Sequence, residues 1–270
     1  MSNDRIEIVR HGAIAEVVLN RPDKMNALDI AMFDAIIDAG KQVSKDKSVR
    51  AVILRGEGKG FCAGLDLANF SPDPDAEINQ DLNPRSHGIA NKWQAASWVW
   101  RECPVPVIAA VHGIAYGGGL QIFSGADIKY VHPDTKLSIM EMKWGIIPDM
   151  GGTQLWRHNV REDVIKELTF THRVFSGNEA VEYGFATFTS DNPTDSAMTL
   201  ARQIAAQSPS AIVKAKKLIN ASSYLSEADG LLMESKEQQD IIRKENQLEA
   251  VFSKMQKREA NFKDYRESTG

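Results

Sequence analysis

Cysteine is scarce in this chain: Cys62 and Cys103 are the only two. Two thiols without paired spacing make neither a disulfide scaffold nor a zinc site, and they fit a reducing compartment. No run approaches the ~20 apolar residues that a membrane helix needs. Residues 1–7 carry charge of both signs and no apolar segment, which argues against a secretory signal. The ending Glu267-Ser268-Thr269-Gly270 is not a peroxisomal address. A cytoplasmic protein is the resulting expectation. Neither sign of charge dominates, with 32 Lys and Arg against 36 Asp and Glu, a net charge of −4. That argues against a general nucleic-acid binder, while leaving room for local basic patches. Internal repeats and low-complexity tracts are also missing. What is present is ordinary globular composition, 43% hydrophobic and 25% charged, on 270 residues. That length buries a full core.

Along the chain, Ile6–Leu19 reads as a strand pair turning at His11-Gly12. From Asn26 the apolar spacing becomes helical through Leu28, Met32, Phe33, Ile36 and Ile37. Ala51–Leu54 and Val105–Val111 are short apolar runs, read as buried strands. Gly56, Gly58, Gly60 and Gly64 mark a loop, and 71–83, rich in Pro, Asp and Asn, reads as a mobile one. Lys92–Arg101 is helical and carries Trp93, Trp98 and Trp100, read as core or pocket wall. Leu120–Ala126 reads as a short helix, Asp127–His132 and Lys136–Met140 as strands. The alternation makes the first part of the chain an α/β protein. After Gly152 helices dominate. Ser176 and Glu179 form a capping box, and helical spacing runs over 196–207, 211–219 and 228–260. A shift in composition near residue 200 divides a core over 1–200 from a helical region over 201–270.

Gly117-Gly118-Gly119 opens a helix, where free backbone N–H groups suit a phosphate or a developing oxyanion. It is neither a Walker nor a dinucleotide pattern. Glu141 ends an apolar strand. Asp149 follows eight residues later, after a turn signalled by Pro148, Gly151 and Gly152. By spacing alone these are either solvated carboxylates or a pair sharing one apolar pocket and exchanging protons. His112 reads as structural, Cys62 as a small buried residue, and the charges of 254–266 as a solvated helix face.

Taken together these segments resemble the enoyl-CoA hydratase/isomerase superfamily, the crotonases. Asn20-Arg21-Pro22 with Asn26-Ala27-Leu28 is similar to the family's opening, and Gly60–Asp66 to its first oxyanion loop. Pro106–Gly119 resembles its most diagnostic stretch, Gly145–Pro148 with Gly151–Gln154 the next, and Ala260–Asp264 the common ending. The resemblance implies an α/β crotonase-like spiral of strand–strand–helix turns with a helical C-terminal trimerisation region. It implies an acyl-CoA thioester substrate, with no cofactor beyond that CoA and no metal. The partners it implies are copies of the chain itself, as a homotrimer or dimer of trimers, rather than nucleic acid or a membrane. It assigns the oxyanion hole to the amides of Ala63 and Gly118. Contacts to the thioester fall to Ala63, Gly64, Leu65, Asp66, Gly118, Gln121 and Lys263.

The carboxylates choose the reaction. Hydratases of the family use two Glu residues. The second matches Glu141, but the first position is Gln121, and Gln exchanges no proton near neutral pH. Dienoyl-CoA isomerases resemble this chain in pairing Glu at 141 with Asp at 149, although they also carry Asp at the position of Gln121. Single-Glu enoyl-CoA isomerases need only Glu141. Aryl-CoA dehalogenases carry a nucleophilic Asp at 149 but Trp at 141. Some members are RNA-binding or scaffold proteins without catalysis. The resemblance therefore implies double-bond isomerisation, with Glu141 and Asp149 as catalytic groups.

Overall fold

The computed structural model describes residues 4–69 and 81–265. The loop expected over 71–83 lies outside the described residues except for 81–83. The expected strand pair forms β1 (Ile6–His11) and β2 (Ile14–Leu19), antiparallel, with Ile6 opposite Leu19 and His11 opposite Ile14. The turn between them is Gly12-Ala13, one residue later than expected. Helix α1 (Ile30–Lys45) also begins late. Met25 and Asn26 both take left-handed backbone, and the helix starts only where Asp29 accepts from the Met32 amide. Then come β3 (Ala51–Gly56), α2 (Lys92–Glu102) and β4 (Val107–Val111). Asn91 and Gln94 close a capping box at the start of α2.

The chain next alternates between two sheets. It runs through β5 (Ile114–Tyr116), α3 (Gly118–Ser124), β6 (Ile128–Val131) and β7 (Lys136–Ser138). After α4 (Gly152–Trp156) and α5 (Glu162–Thr171) come β8 (Phe175–Ser176), α6 (Gly177–Tyr183) and β9 (Phe188–Thr189). The Ser176–Glu179 capping box forms as expected. The larger sheet has the order β1-β2-β3-β4-β6-β9, parallel after its first pair. The smaller has the order β5-β7-β8. β4 passes directly into β5, and β6 into β7, so each turn of chain lays one strand in each sheet. This is the expected spiral.

The large sheet is covered on both faces, which is why β2 and β4 are buried at every position. Alternate residues Val17, Val52, Leu54 and Ala109 pack towards α1 and α2. Ile14, Ile53, Ile108 and Ala110 face Ala197 and Ala201 of α7 (Pro193–Ala205). The boundary expected after residue 200 thus falls inside a helix packed on the sheet. The helices beyond it are α8 (Pro209–Ser222), α9 (Glu227–Ile241) and α10 (Glu245–Met255). The single helical stretch expected over 228–260 is broken at Arg243, which takes a φ of 62°. No Gly or Pro marks that break. Lys244 caps α10 in extended backbone, and the Gln247 side chain accepts from the Arg243 amide. Of the charged residues described within 254–265, only Lys254 lies on α10.

One buried side chain ties the opening turn to the glycine loop. Asn26 Nδ2 donates to the carbonyls of Glu57, Gly60 and Phe61 at 2.9, 3.0 and 3.1 Å, and Oδ1 accepts from the Arg21 amide at 2.8 Å. Removing it leaves buried backbone groups unsatisfied at about 1–3 kcal/mol each. Asn26→Ala is therefore expected to lower stability by about 3 kcal/mol in urea unfolding. A loss below about 0.5 kcal/mol would show that these bonds hold nothing.

Candidate active site

A cavity of about 1060 Å³ opens where the loop after β3, the β5–α3 junction and the segment after β7 meet. Its wall is mostly apolar: Phe33, Leu67, Trp93, Met140, Trp144 and Met150. Phe33 and Trp93 meet edge to face at 4.8 Å between ring centres. Trp100, by contrast, is core, so the tryptophan cluster divides between the two expected places.

Two backbone segments come together at one end of this cavity. Gly117, at φ +48°, turns β5 sharply into α3 and leaves the Gly118 amide in the first helical turn without an acceptor. Gly64, at φ +86°, lies opposite. A Cβ there would sit 2.6 Å from the Tyr116 carbonyl oxygen and 3.7 Å from the Gly118 nitrogen, so only glycine permits the approach. The structure corrects the expected donor on this loop. The Ala63 amide already donates to the Met25 carbonyl at 2.9 Å, and the Asp66 amide to that of Leu28 at 3.0 Å. Among the described residues the Leu65 amide between them donates to no protein acceptor. Each segment thus carries an amide with no protein acceptor among the described residues, Leu65 in the loop and Gly118 at the helix start.

The carboxylates converge as the spacing allowed. Glu141 is not a strand end but the first residue of a 3-10 turn, Glu141–Trp144. Gly145, at φ 71°, reverses the chain, and Asp149 returns to line the same cavity. Glu141 is only 6% exposed. Its Oε1 accepts from Gln121 Nε2 at 2.6 Å, and its buried Oε2 has no partner among the described residues. Burial raises the carboxyl to about 6. The Glu141 amide and Gln121 pull the other way, and the charge of Asp149 adds to the rise. Burial also raises Asp149, opposed by its own amide.

Gln121 does not reach the cavity, contrary to its expected contact with the thioester. It is wholly buried, and its Oε1 accepts from the Met150 and Gly152 amides, both at 2.9 Å. Gly64, Leu65 and Asp66 do line the cavity, as Ala63 does. The Asp66 carboxylate is paired with Arg21 at 2.7 Å and held below the usual range, chiefly by the Ala68 amide. Lys263 is not brought to the cavity: its side chain is exposed, and its backbone is pinned to the Asn246 side chain at 2.8 and 3.0 Å. Cys62 is buried, its thiol pushed up to about 12, and His112 Nε2 donates to the Gly58 carbonyl at 2.9 Å. Neither is placed as a nucleophile or base. Reading the sequence missed Leu65 as a donor and Asn26 and Gln121 as the side chains that hold the loops. A polar residue amid apolar neighbours, Gln121 within Leu120-Gln121-Ile122-Phe123, was the available signal.

Residues 10–266 match the family model described as enoyl-CoA hydratase/isomerase. The chain belongs to that family. It is 31% identical over 267 residues to the Arabidopsis thaliana protein named peroxisomal Delta(3,5)-Delta(2,4)-dienoyl-CoA isomerase, spanning 95% of this chain and 96% of the relative. It is 30% identical to the Dictyostelium discoideum mitochondrial protein of the same activity name, over 93% of this chain and 87% of the relative. Its structure is similar to that of an enoyl-CoA hydratase from Bacillus anthracis, with a TM-score of 0.87 and 28% identity, over 96% of this chain and 99% of that one. The chain is an enzyme of the crotonase superfamily with the crotonase fold. Its relatives occupy more than one compartment, so a cytoplasmic location does not follow from the family. No helix among the described residues is long and apolar enough to cross a membrane.

The burial of Glu141 has a measurable consequence. A carboxyl at about 6 in the fold, against 4.5 when free, destabilises the fold by about 2 kcal/mol once ionised. The sign follows from proton uptake: the cost is fully present above pH 6, fades as pH falls towards 4.5, and is absent below. Glu141→Gln is therefore expected to be about 1–2 kcal/mol more stable than the native protein at pH 8, with no such gain at pH 4. Equal stability at pH 8 in chemical unfolding would contradict the buried-carboxylate assignment.

Proposed function

We propose that this enzyme moves double bonds in acyl-CoA thioesters, converting a 3,5-dienoyl-CoA into its 2,4-isomer. One observation carries the reading: two burial-raised carboxylates, Glu141 and Asp149, share an apolar cavity with two unengaged amides, while the third acidic position of the family is the neutral Gln121. The thioester oxygen sits between the Leu65 and Gly118 amides. They stabilise the negative charge that develops as the C2–H bond breaks, an effect commonly worth ~3–4 kcal/mol per donor. One carboxylate, ionised, takes the C2 proton. The electron pair spreads over the conjugated chain as the dienolate. The other carboxyl, protonated, gives its proton to C6, and the double bonds settle at C2 and C4. No water is added, no electron leaves, and no cofactor is required beyond the CoA of the substrate. The carboxyls need pKa values near neutrality for such exchange, which burial favours at both. The names of the two relatives support the same substrate class.

Glu141→Gln is expected to lower isomerisation about 10²-fold or more while leaving acyl-CoA binding intact. Asp149→Asn is expected to depress turnover of 3,5-dienoyl-CoA by about 10²-fold, and that of a simple 3-enoyl-CoA far less, since Glu141 alone suffices there. Absorbance assays with both substrates decide the matter. Equal retention of both activities in Asp149→Asn would leave a single-Glu isomerase.

The assembly belongs to the same proposal. Ile219, Leu231 and Met255, on α8, α9 and α10, are 64–73% exposed. Such apolar positions on three successive helices fit burial against copies of the chain in a closed trimer. Light scattering at micromolar concentration is expected to give the mass of three or six chains, and a monomer would contradict it.

A further inference from the structure

We infer that Gln121 is a positioning residue for proton transfer: it holds Glu141 so that the proton moves through Oε2 alone, and it ties the turn bearing Asp149 to the same point. This rests on the reading of Glu141 as a proton-transfer group.

The orientation of the Gln121 amide is forced. Its Oε1 receives the Met150 and Gly152 N–H groups, both pure donors. A flipped amide would aim its NH₂ at those two donors. Nε2 therefore has to face Glu141, and it donates to Oε1 at 2.6 Å. That oxygen is also walled by Gly117, where a Cβ would stand 3.3 Å away. Oε2 is left buried and unpartnered. Of the two Glu141 oxygens it is the one free to take or give a proton. The same Gln121 oxygen fixes the backbone on both sides of Gly151, immediately after Asp149. A Cβ on Gly152 would meet that oxygen at 2.8 Å, so the turn has no room to slide. One neutral side chain thus sets the placement of both carboxylates. An acid at 121 would have to remain protonated to donate the same bond.

Among the described residues, the titratable groups that share the cavity with Glu141 are Asp66, Tyr116, Lys143 and Asp149. Helix α3 carries no titratable residue. From α5, packed on the 3-10 turn, come Glu162, Asp163, Lys166 and Glu167, all exposed, and half-buried His172 follows them. Gln121 adds no charge of its own, so its effect on Glu141 is the hydrogen bond, which favours the ionised form.

The test uses the full-length enzyme with Gln121→Leu, which removes donor and acceptor, and Gln121→Glu, which keeps the acceptor for Met150 and Gly152. Glu141 titration is followed by ¹³C NMR of glutamate-labelled protein, its resonance assigned by its loss in Glu141→Gln. Kinetics with a 3,5-dienoyl-CoA run in parallel across pH. In Gln121→Leu the Glu141 midpoint is expected to rise by about one pH unit. Its kcat should fall about tenfold or more, with KM within about threefold. In Gln121→Glu the carboxyl pair should titrate in two separated steps, and activity at pH 8 should fall further below native than at pH 6. An unmoved Glu141 midpoint, or an unmoved kcat beside a moved midpoint, overturns the inference and leaves Gln121 as packing. If Gln121→Leu does not fold, Gln121→Glu decides by the same criteria. If the native enzyme isomerises neither dienoyl- nor enoyl-CoA, the proposed function fails, and the NMR midpoint alone decides whether Gln121 governs Glu141.

Discussion

A single carboxamide, buried without a water-facing edge, joins α3 to both ends of the segment that follows β7 and lines the cavity. Gln121 stands on α3, reaches the 3-10 turn through Glu141, and holds the Met150–Gly152 backbone from its other end. In an apolar interior an unpaired amide is costly, so all three segments must arrive together for any of these bonds to form. The register of the spiral, the short passage from β5 into α3 and the reversal at Gly145 are all constrained by that meeting. The helix and the turn are thereby locked at the place where the Glu141 carboxylate is buried.

Stability and chemistry pull against each other there. Burial that raises Glu141 to about 6 makes the ionised site unfavourable for the fold. The same burial brings the carboxyl to the pH range in which protons are exchanged efficiently. The compensation lies outside the site, in a sheet covered on both faces and in the Asn26 bonds that hold the glycine loop against it. A rigid frame is what permits an unpartnered buried oxygen to persist.

Much of this arrangement was legible from local chemistry. Uninterrupted apolar runs such as Val107–Val111 are buried strands because both faces of the sheet are covered, and the Ser176–Glu179 capping box forms where its spacing placed it. The return of Asp149 towards Glu141 was expected from Pro148 and the paired glycines, although the chain reverses at Gly145. The break at Arg243 was not legible, since no Gly or Pro marks it and the apolar spacing runs through it. Nor was the donor at Leu65. The residue types of 63–66 do not reveal which amide faces a carbonyl of the opening turn and which faces the cavity.

The sequence by itself determined the class of fold, the strands β1 to β4 and β6, and the residue types at the site, because periodicity, capping and turn chemistry act over a few neighbouring residues. It also determined that position 121 carries no acid. Only the tertiary structure decided that Gln121 points away from the cavity, that the Ala63 amide is occupied while that of Leu65 is not, and that Lys263 lies elsewhere. The physical reason is common to all three. Each depends on which buried donor meets which acceptor across tens of residues of chain, and such pairings exist only after the segments have packed.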